Sequence, residues 1–288
     1  MRRYFPRMAL RSPPWAALFV AFLLPLLAHA QGGAGTAVVD TEHLFGFTDG
    51  TDIGDKGDIE LEGTFSGRFG KPGIYTALQN ETAVRYGVTD AFRLAAGALF
   101  DYRNIAGVPA LDDYSGFNFA GLTGEANWQA LKRTPIGLTL SASPQWRRVD
   151  DLSGQPAESY LVRLRLLADT ALVPDTAFAA VNLIATPTTS RVSGVWQQEM
   201  PTEASAALAH AIGRGVFLGA EVRHLTHNHD GFLSGHALFV GPSLLVRTSD
   251  STALKVAWSM QVPDECSGTV DLVNYERHQA VLVLVKDF

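Results

Sequence analysis

The 288-residue sequence holds a single cysteine, Cys266, which excludes a scaffold of internal disulfides. Charge is scarce: Asp, Glu, Lys and Arg make up 18% of the chain, against about a quarter in an average globular protein. Basic residues are not in excess. The formal net charge is −6, which argues against a nucleic-acid partner held mainly through phosphate contacts. Nothing after residue 30 reads as a membrane helix, because the later apolar stretches are short and are cut by Arg, Asn, Gly or Thr. Hydrophobic residues are plentiful at 47%, enough to exclude a wholly disordered chain.

Residues 1–30 carry four Arg (Arg2, Arg3, Arg7, Arg11) and no acid, followed by an apolar run from Ala16 to Leu27 and the small-residue site Ala28-His29-Ala30. This three-part order predicts a secretory signal peptide cleaved after Ala30. The run is too short for a spanning helix, which needs about 20 apolar residues. No Cys follows the site, so a lipid anchor is not indicated. Without the four Arg, 19 basic residues face 29 acidic ones, and the mature net charge is −10.

The mature chain alternates at period two. In Ile59–Phe69 the odd positions are Ile59, Leu61, Gly63, Phe65, Gly67 and Phe69, and the even ones Glu60, Glu62, Thr64, Ser66 and Arg68. Successive side chains of a strand point to opposite faces, so one face is apolar and the other polar. The pattern predicts about twelve strands: 58–69, 74–88, 92–103, 117–129, 136–148, 159–170, 177–186, 196–211, 216–226, 235–248, 254–262 and 275–288. Most have the length of a tilted membrane strand. Links after the even-numbered strands are short. Links after the odd-numbered ones are mostly longer, the parity of periplasmic turns and outer loops, with Gly70–Gly73 the exception. Pro242 falls inside a strand and predicts a bulge there. Aromatic residues near strand ends, Phe69, Tyr86, Phe92, Tyr102, Trp128, Trp146, Tyr160, Phe178, Tyr275 and Phe288, suit two interfacial girdles. The expected fold is all-β, a single antiparallel up-and-down transmembrane β-barrel over residues 58–288. A soluble secreted β protein is the alternative.

The polar face supplies the expected lumen lining: Glu60, Glu62, Arg68, Glu81, Arg85, Arg93, Asp101, Arg103, Glu125, Arg147, Arg163, Arg165, Glu221, Arg223, Arg247, Lys255 and Arg277. Two readings stay open. One is a narrow Arg-lined pore favouring anionic solutes. The other is a lumen cross-linked shut by Arg–carboxylate pairs. Arg163 and Arg165 share one face, so at least one needs a partner across the barrel. Residues 31–57 are rich in Gly and Asp, with an apolar patch at Leu44–Phe47, and fit a periplasmic tail, a partial plug or an extra strand. Asp49, Asp52, Asp55 and Asp58 recur every third residue, but not at EF-hand spacing, and read as a solvated turn. His224, His227, His229, Asp230 and His236 surround one expected outer loop. Their spacing suits metal ligation, yet a solvated polar loop accounts for them and no metal or cofactor is expected. Ser234 and His236, with Asn228 close by, are the only hint of a hydrolase, and no G-x-S-x-G surrounds a serine. No enzymatic activity is expected.

The chain ends on Phe288, with Leu284, Leu282 and Ala280 on its face and Lys286 interrupting them. A terminal Phe closing an alternating strand resembles the insertion signal of Gram-negative outer-membrane β-barrels. Glu42–Phe47, the Tyr86–Asp90 turn and Tyr275–Ala280 are similar to segments of uncharacterised barrels and of the outer-membrane transporters of aromatic-degradation operons. The resemblance implies export to the outer membrane, with its lipid, lipopolysaccharide and the barrel-assembly machinery as partners, and passage of a small solute. It implies no catalytic residue.

Overall fold

The computed structural model describes residues 39–192, 194–229, 232–249, 251–264 and 268–288. The expected signal peptide, Asp230 and Cys266 lie outside these residues. Among the described residues there is no helix; the elements are β1 (Ile59–Phe69), β2 (Ile74–Thr89), β3 (Phe92–Ala106), β4 (Tyr114–Leu131), β5 (Ile136–Val149), β6 (Pro156–Val173), β7 (Ala177–Ala185), β8 (Thr188–Val192), β9 (Val195–Glu199), β10 (Thr202–Gly213), β11 (Val216–His229), β12 (Phe232–Ser249), β13 (Thr252–Val262) and β14 (His278–Asp287). Each pairs antiparallel with its neighbours, β1 pairs with β14, and the β10–β11 pairing completes the ring. Closure of the ring removes the two free edges an open sheet would have, a requirement in hydrocarbon, where each unsatisfied backbone group costs several kcal/mol.

The barrel has 12 strands in the ring, because β7 with β8, and β9 with β10, are two halves of single staves. Proline, which has no N–H to give a ladder, causes both interruptions, at Pro187 and Pro201. The seam stays bonded: Thr186 N–H donates to Pro201 O at 2.9 Å, and Val162 N–H to Pro187 O at 3.2 Å. The expected strand at 196–211 is therefore broken, and the one at 177–186 continues beyond its expected end. Two outer connections expected to be long, after β7 and around the histidines, are instead drawn into strand pairing that rises as the β8–β9 and β11–β12 tips. Pro242 makes no bulge. The β12–β13 register is the same on both sides of it, Val240↔Met260 and Ser243↔Ala257, and only the rungs between are lost. Gly241 accommodates the close approach there, since a Cβ would come within 1.8 Å of Trp258 O.

The alternation sorts side chains as expected. Leu94, Leu122, Leu140, Leu164, Leu183, Leu218, Val256 and Trp258 are exposed outward, where hydrocarbon is the solvent. Two expected girdle residues face inward instead: Phe178 joins a core cluster with Leu44 and Phe45, and Tyr275 packs on Phe239. Lys286 lies at the barrel end, its Nζ donating to Ser251 Oγ at 2.6 Å, so its interruption of the apolar face needs no place in the lipid.

Candidate functional site

Residues 41–53 fill the barrel interior at the end bearing the short turns. Thr41–Phe45, Thr48, Thr51 and Ile53 are buried there. The described part of 31–57 lies inside the ring against wall side chains, a plug by position. Its amides meet wall carboxylates. Phe47 N–H donates to Glu221 Oε1 at 3.0 Å and Oε2 at 2.9 Å, and Thr48 N–H to Oε2 at 3.0 Å. Thr51 N–H donates to Asp169 Oδ2 at 3.0 Å, and both Thr41 Oγ1 and Thr51 Oγ1 donate to the same carboxylate. Thr51 O accepts from Gln129 Nε2 at 2.9 Å and Thr139 Oγ1 at 2.7 Å. Arg133, in the β4–β5 turn, reaches Val39 O, Asp52 and Asp169. Gly46 passes where only hydrogen fits, for a Cβ would meet Glu221 Oε1 at 2.2 Å and Ala257 Cβ at 2.6 Å. The apolar patch also serves: Leu44 and Phe45 pack on Phe178, Ala207, Phe217 and Leu245, and Phe47 lies under Arg223, 4.1 Å from ring centroid to guanidinium carbon.

Charge is paired throughout this seam. Glu42 binds Arg93, and Arg85 Nη1 at 2.9 Å. Arg85 Nη1 also lies 2.9 Å from Glu60 and 2.6 Å from Glu62. His43 sits between Glu60 (3.4 Å) and Glu62 (3.5 Å). Burial by itself pushes the Glu42 carboxyl up, but Arg93, His43 and Arg85 outweigh it and hold it below the usual carboxylate range. Burial by itself pushes the His43 ring down, but Glu42, Glu60 and Glu62 outweigh it and raise the ring to about 9. Arg165 pairs with Asp49 at 2.8 Å and with Glu125, and Lys255 stands 3.9 Å from Asp49. The spaced aspartates are thus split: Asp49 goes to Arg165, Asp52 to Arg133, and Asp58 caps Asp55 N–H. They form no common calcium cage. Beside the plug, a cleft between Glu81, Arg85, Thr123 and Glu125 has a volume of only about 10 Å³, room for about one water.

Toward the other end, Asp101 pairs with Arg103 at 3.1 Å and Arg147 at 2.9 Å, and the 150–155 turn brings Asp151 to Arg68 at 2.8 Å. Lys71 Nζ donates to Leu272 O, Val273 O and Tyr275 O at 3.1, 2.9 and 2.8 Å, pinning the last loop at the mouth. Arg223 pairs with Glu203, and Arg247 donates to Asp40 O. Arg163 differs: it shares the inward face of β6 with Arg165, is exposed, and has no ion pair among the described residues. Arg277 is placed otherwise than expected. The loop before β14 runs to residue 277, and Arg277 is exposed there rather than on a strand.

The histidines do not form one group. His227 and His229 lie 3.7 and 3.5 Å from Glu199 Oε1, whereas His224 and His236 meet on the opposite face with their rings tilted at 43° and centroids 5.9 Å apart. Glu199 was not singled out in the sequence because it is distant along the chain. Ser234 Oγ donates to His227 O at 3.0 Å, and His236 stands 3.9 Å from Asp264. A concavity of about 760 Å³ lies on the outside of the wall, rimmed by Trp128, Leu140, Leu166 and Leu183. Its lining is mainly outward-facing apolar side chains, with Arg165 and Glu203 also touching it.

The chain belongs to a family described as a family of unknown function, DUF6662, whose model matches residues 37–288. No curated protein matches it. Among solved structures it is similar to the COG4313 outer membrane channel from Pseudomonas putida F1, at 14% identity over 83% of this chain and 98% of that one, with a TM-score of 0.56. It is also similar to the translocator domain of autotransporter NalP from Neisseria meningitidis, at 10% identity over 83% of this chain and 91% of that one, with a TM-score of 0.50. The shared feature is the fold, that of an outer-membrane β-barrel.

Proposed function

We propose that the protein is an outer-membrane channel for a small solute, held shut at rest by its own N-terminal segment. The carrying observation is that a continuous wall encloses residues 41–53 and holds them by separable polar side-chain contacts. A lumen that admits a polypeptide segment has the width for a small solute once that segment leaves. The structural neighbour from Pseudomonas putida, described as a channel, supports the same reading. Arg163, an inward-facing cation with no ion pair among the described residues, biases passage toward anions. Most other lumen Arg side chains are neutralised by carboxylates, so the lining is a lattice of pairs rather than a bare cationic surface.

One observation favours a second reading, a permanently occluded structural barrel. Leu44 and Phe45 are almost wholly buried in an apolar cluster, which resists release into water. Planar-bilayer conductance of the refolded mature chain, beside a chain lacking residues 31–57, separates the two. A gated channel shows rare or small steps in the intact chain and steady steps after deletion. Silence from both, with each shown folded by heat-modifiable migration, overturns the channel.

A further inference from the structure

Where the β8–β9 and β11–β12 tips rise at the outer end, Glu199 stands directly across the ladder from His229. His227 follows two residues back on β11, on the parity of the inward-facing Glu221 and Arg223. Glu199 Oε1 is 3.7 Å from His227 Nε2 and 3.5 Å from His229 Nδ1. Ligands of a tetrahedral ion with bonds of about 2.1 Å stand about 3.4 Å apart, so two edges of such a polyhedron are near their final length. We infer that Glu199, His227 and His229 form a site for a divalent transition ion of the zinc class at the mouth of the barrel.

The backbone under these side chains is fixed. Met200 N–H donates to Asn228 O at 3.0 Å, and Asn228 Nδ2 donates back to Met200 O at 3.1 Å. The extra residue where the β11–β12 register shifts lies on β12, so β11 keeps the regular repeat that puts His227 and His229 on one face, about 6.7 Å apart at Cα. The two ring nitrogens are more than 4.8 Å apart. Turning the His227 ring inward closes the third edge, and at a side-chain exposure of 29% that ring has room to turn. Two imidazoles and one carboxylate leave a fourth position for water. The interior trio Glu42, His43 and Glu60 has tighter spacing, yet there the Arg85 guanidinium already stands among the carboxylates. Among the described residues no Lys or Arg forms an ion pair with Glu199, and the three side chains are partly exposed.

The test is calorimetric titration of the refolded full mature chain in detergent with Zn²⁺ alone, in phosphate-free buffer. One Zn²⁺ per chain should bind with micromolar or tighter Kd. His227→Ala, His229→Ala and Glu199→Gln should each weaken binding at least tenfold, while His224→Gln combined with His236→Gln leaves it unchanged. Heat-modifiable migration checks that each variant is folded, and Glu199→Gln, nearly isosteric, keeps the test decisive if a histidine variant does not fold. No saturation by millimolar Zn²⁺ overturns the site. So does unchanged binding in the trio variants, or loss of binding in the control pair.

Discussion

Glu221 and Phe47 meet through a carboxylate whose two oxygens both accept the Phe47 backbone N–H, while Oε2 also accepts from Thr48. A wall residue on β11 thereby caps the turn of the plug. Glu221→Ala strips these amides of their acceptor, which costs about 1–3 kcal/mol of plug docking. In a Cys266→Ser background, the thiol of Thr48→Cys reports on plug release. Glu221→Ala should raise its methanethiosulfonate labelling rate about fivefold or more, and Glu221→Gln, which keeps one acceptor, should raise it less. An unchanged rate would show that this contact does not hold the plug.

Docking should also weaken in alkali. His43 is charged between Glu42, Glu60 and Glu62, with its proton held to about 9 against 6.5 in the unfolded chain. Because the folded value is the higher, the contribution is complete below about 6.5 and is lost as pH rises through about 9. Labelling at Thr48→Cys, normalised to an exposed control such as Arg214→Cys, should rise between pH 8 and pH 10. His43→Gln should show little of that rise.

The strands were legible singly and the plug only as one of three readings, for one physical reason. A membrane strand imposes alternation on every residue, as in Phe92, Leu94 and Ala96 against Arg93 and Asp101, and that pattern survives without knowledge of its partners. The plug obeys no period. Its selection is residue by residue against the wall: Gly46 where a side chain would strike Ala257, Glu42 where Arg85 and Arg93 converge, Leu44 and Phe45 where Phe178 turns inward. The one local signal was an apolar patch embedded among Gly and Asp. The pairing of Arg165 with Asp49 was legible only as a demand, since the two like charges of Arg163 and Arg165 could not both lack partners. Glu199 was invisible because its tie to His227 and His229 exists only across the ladder.

The lipid-facing assignment can be tested away from the interior. Leu164 lies mid-strand on β6, outward and exposed, opposite Ala142. Leu164→Arg should cost about 2–4 kcal/mol in a bilayer, the range for a guanidinium near the midplane. Reversible urea unfolding into lipid vesicles reads that cost. Leu164→Val should fall within about 1 kcal/mol of wild type, as a small change in apolar surface. Equal stability of the Arg and Val variants would place this face in water instead.

Arg163 and Arg165 share a face and a charge, yet their substitutions should part company. Arg165 pairs with Asp49 on the plug and with Glu125 on β4, the next strand but one in the same wall. Removing its guanidinium takes the nearest cation from two carboxylates, leaving Asp49 only Lys255 at 3.9 Å and Glu125 only Arg93 at 4.0 Å, so Arg165→Ser should destabilise the folded protein by about 3 kcal/mol and loosen the plug as well. Arg163 has no ion pair to break, so Arg163→Ser should leave the unfolding midpoint nearly unchanged. In the chain lacking residues 31–57, however, the same substitution should move the reversal potential under a salt gradient away from the anion side. Conductance and unfolding measured on both variants read the contrast directly. A shift in selectivity from Arg165→Ser alone, with none from Arg163→Ser, would remove Arg163 from the permeation path and assign the charge preference to Arg165.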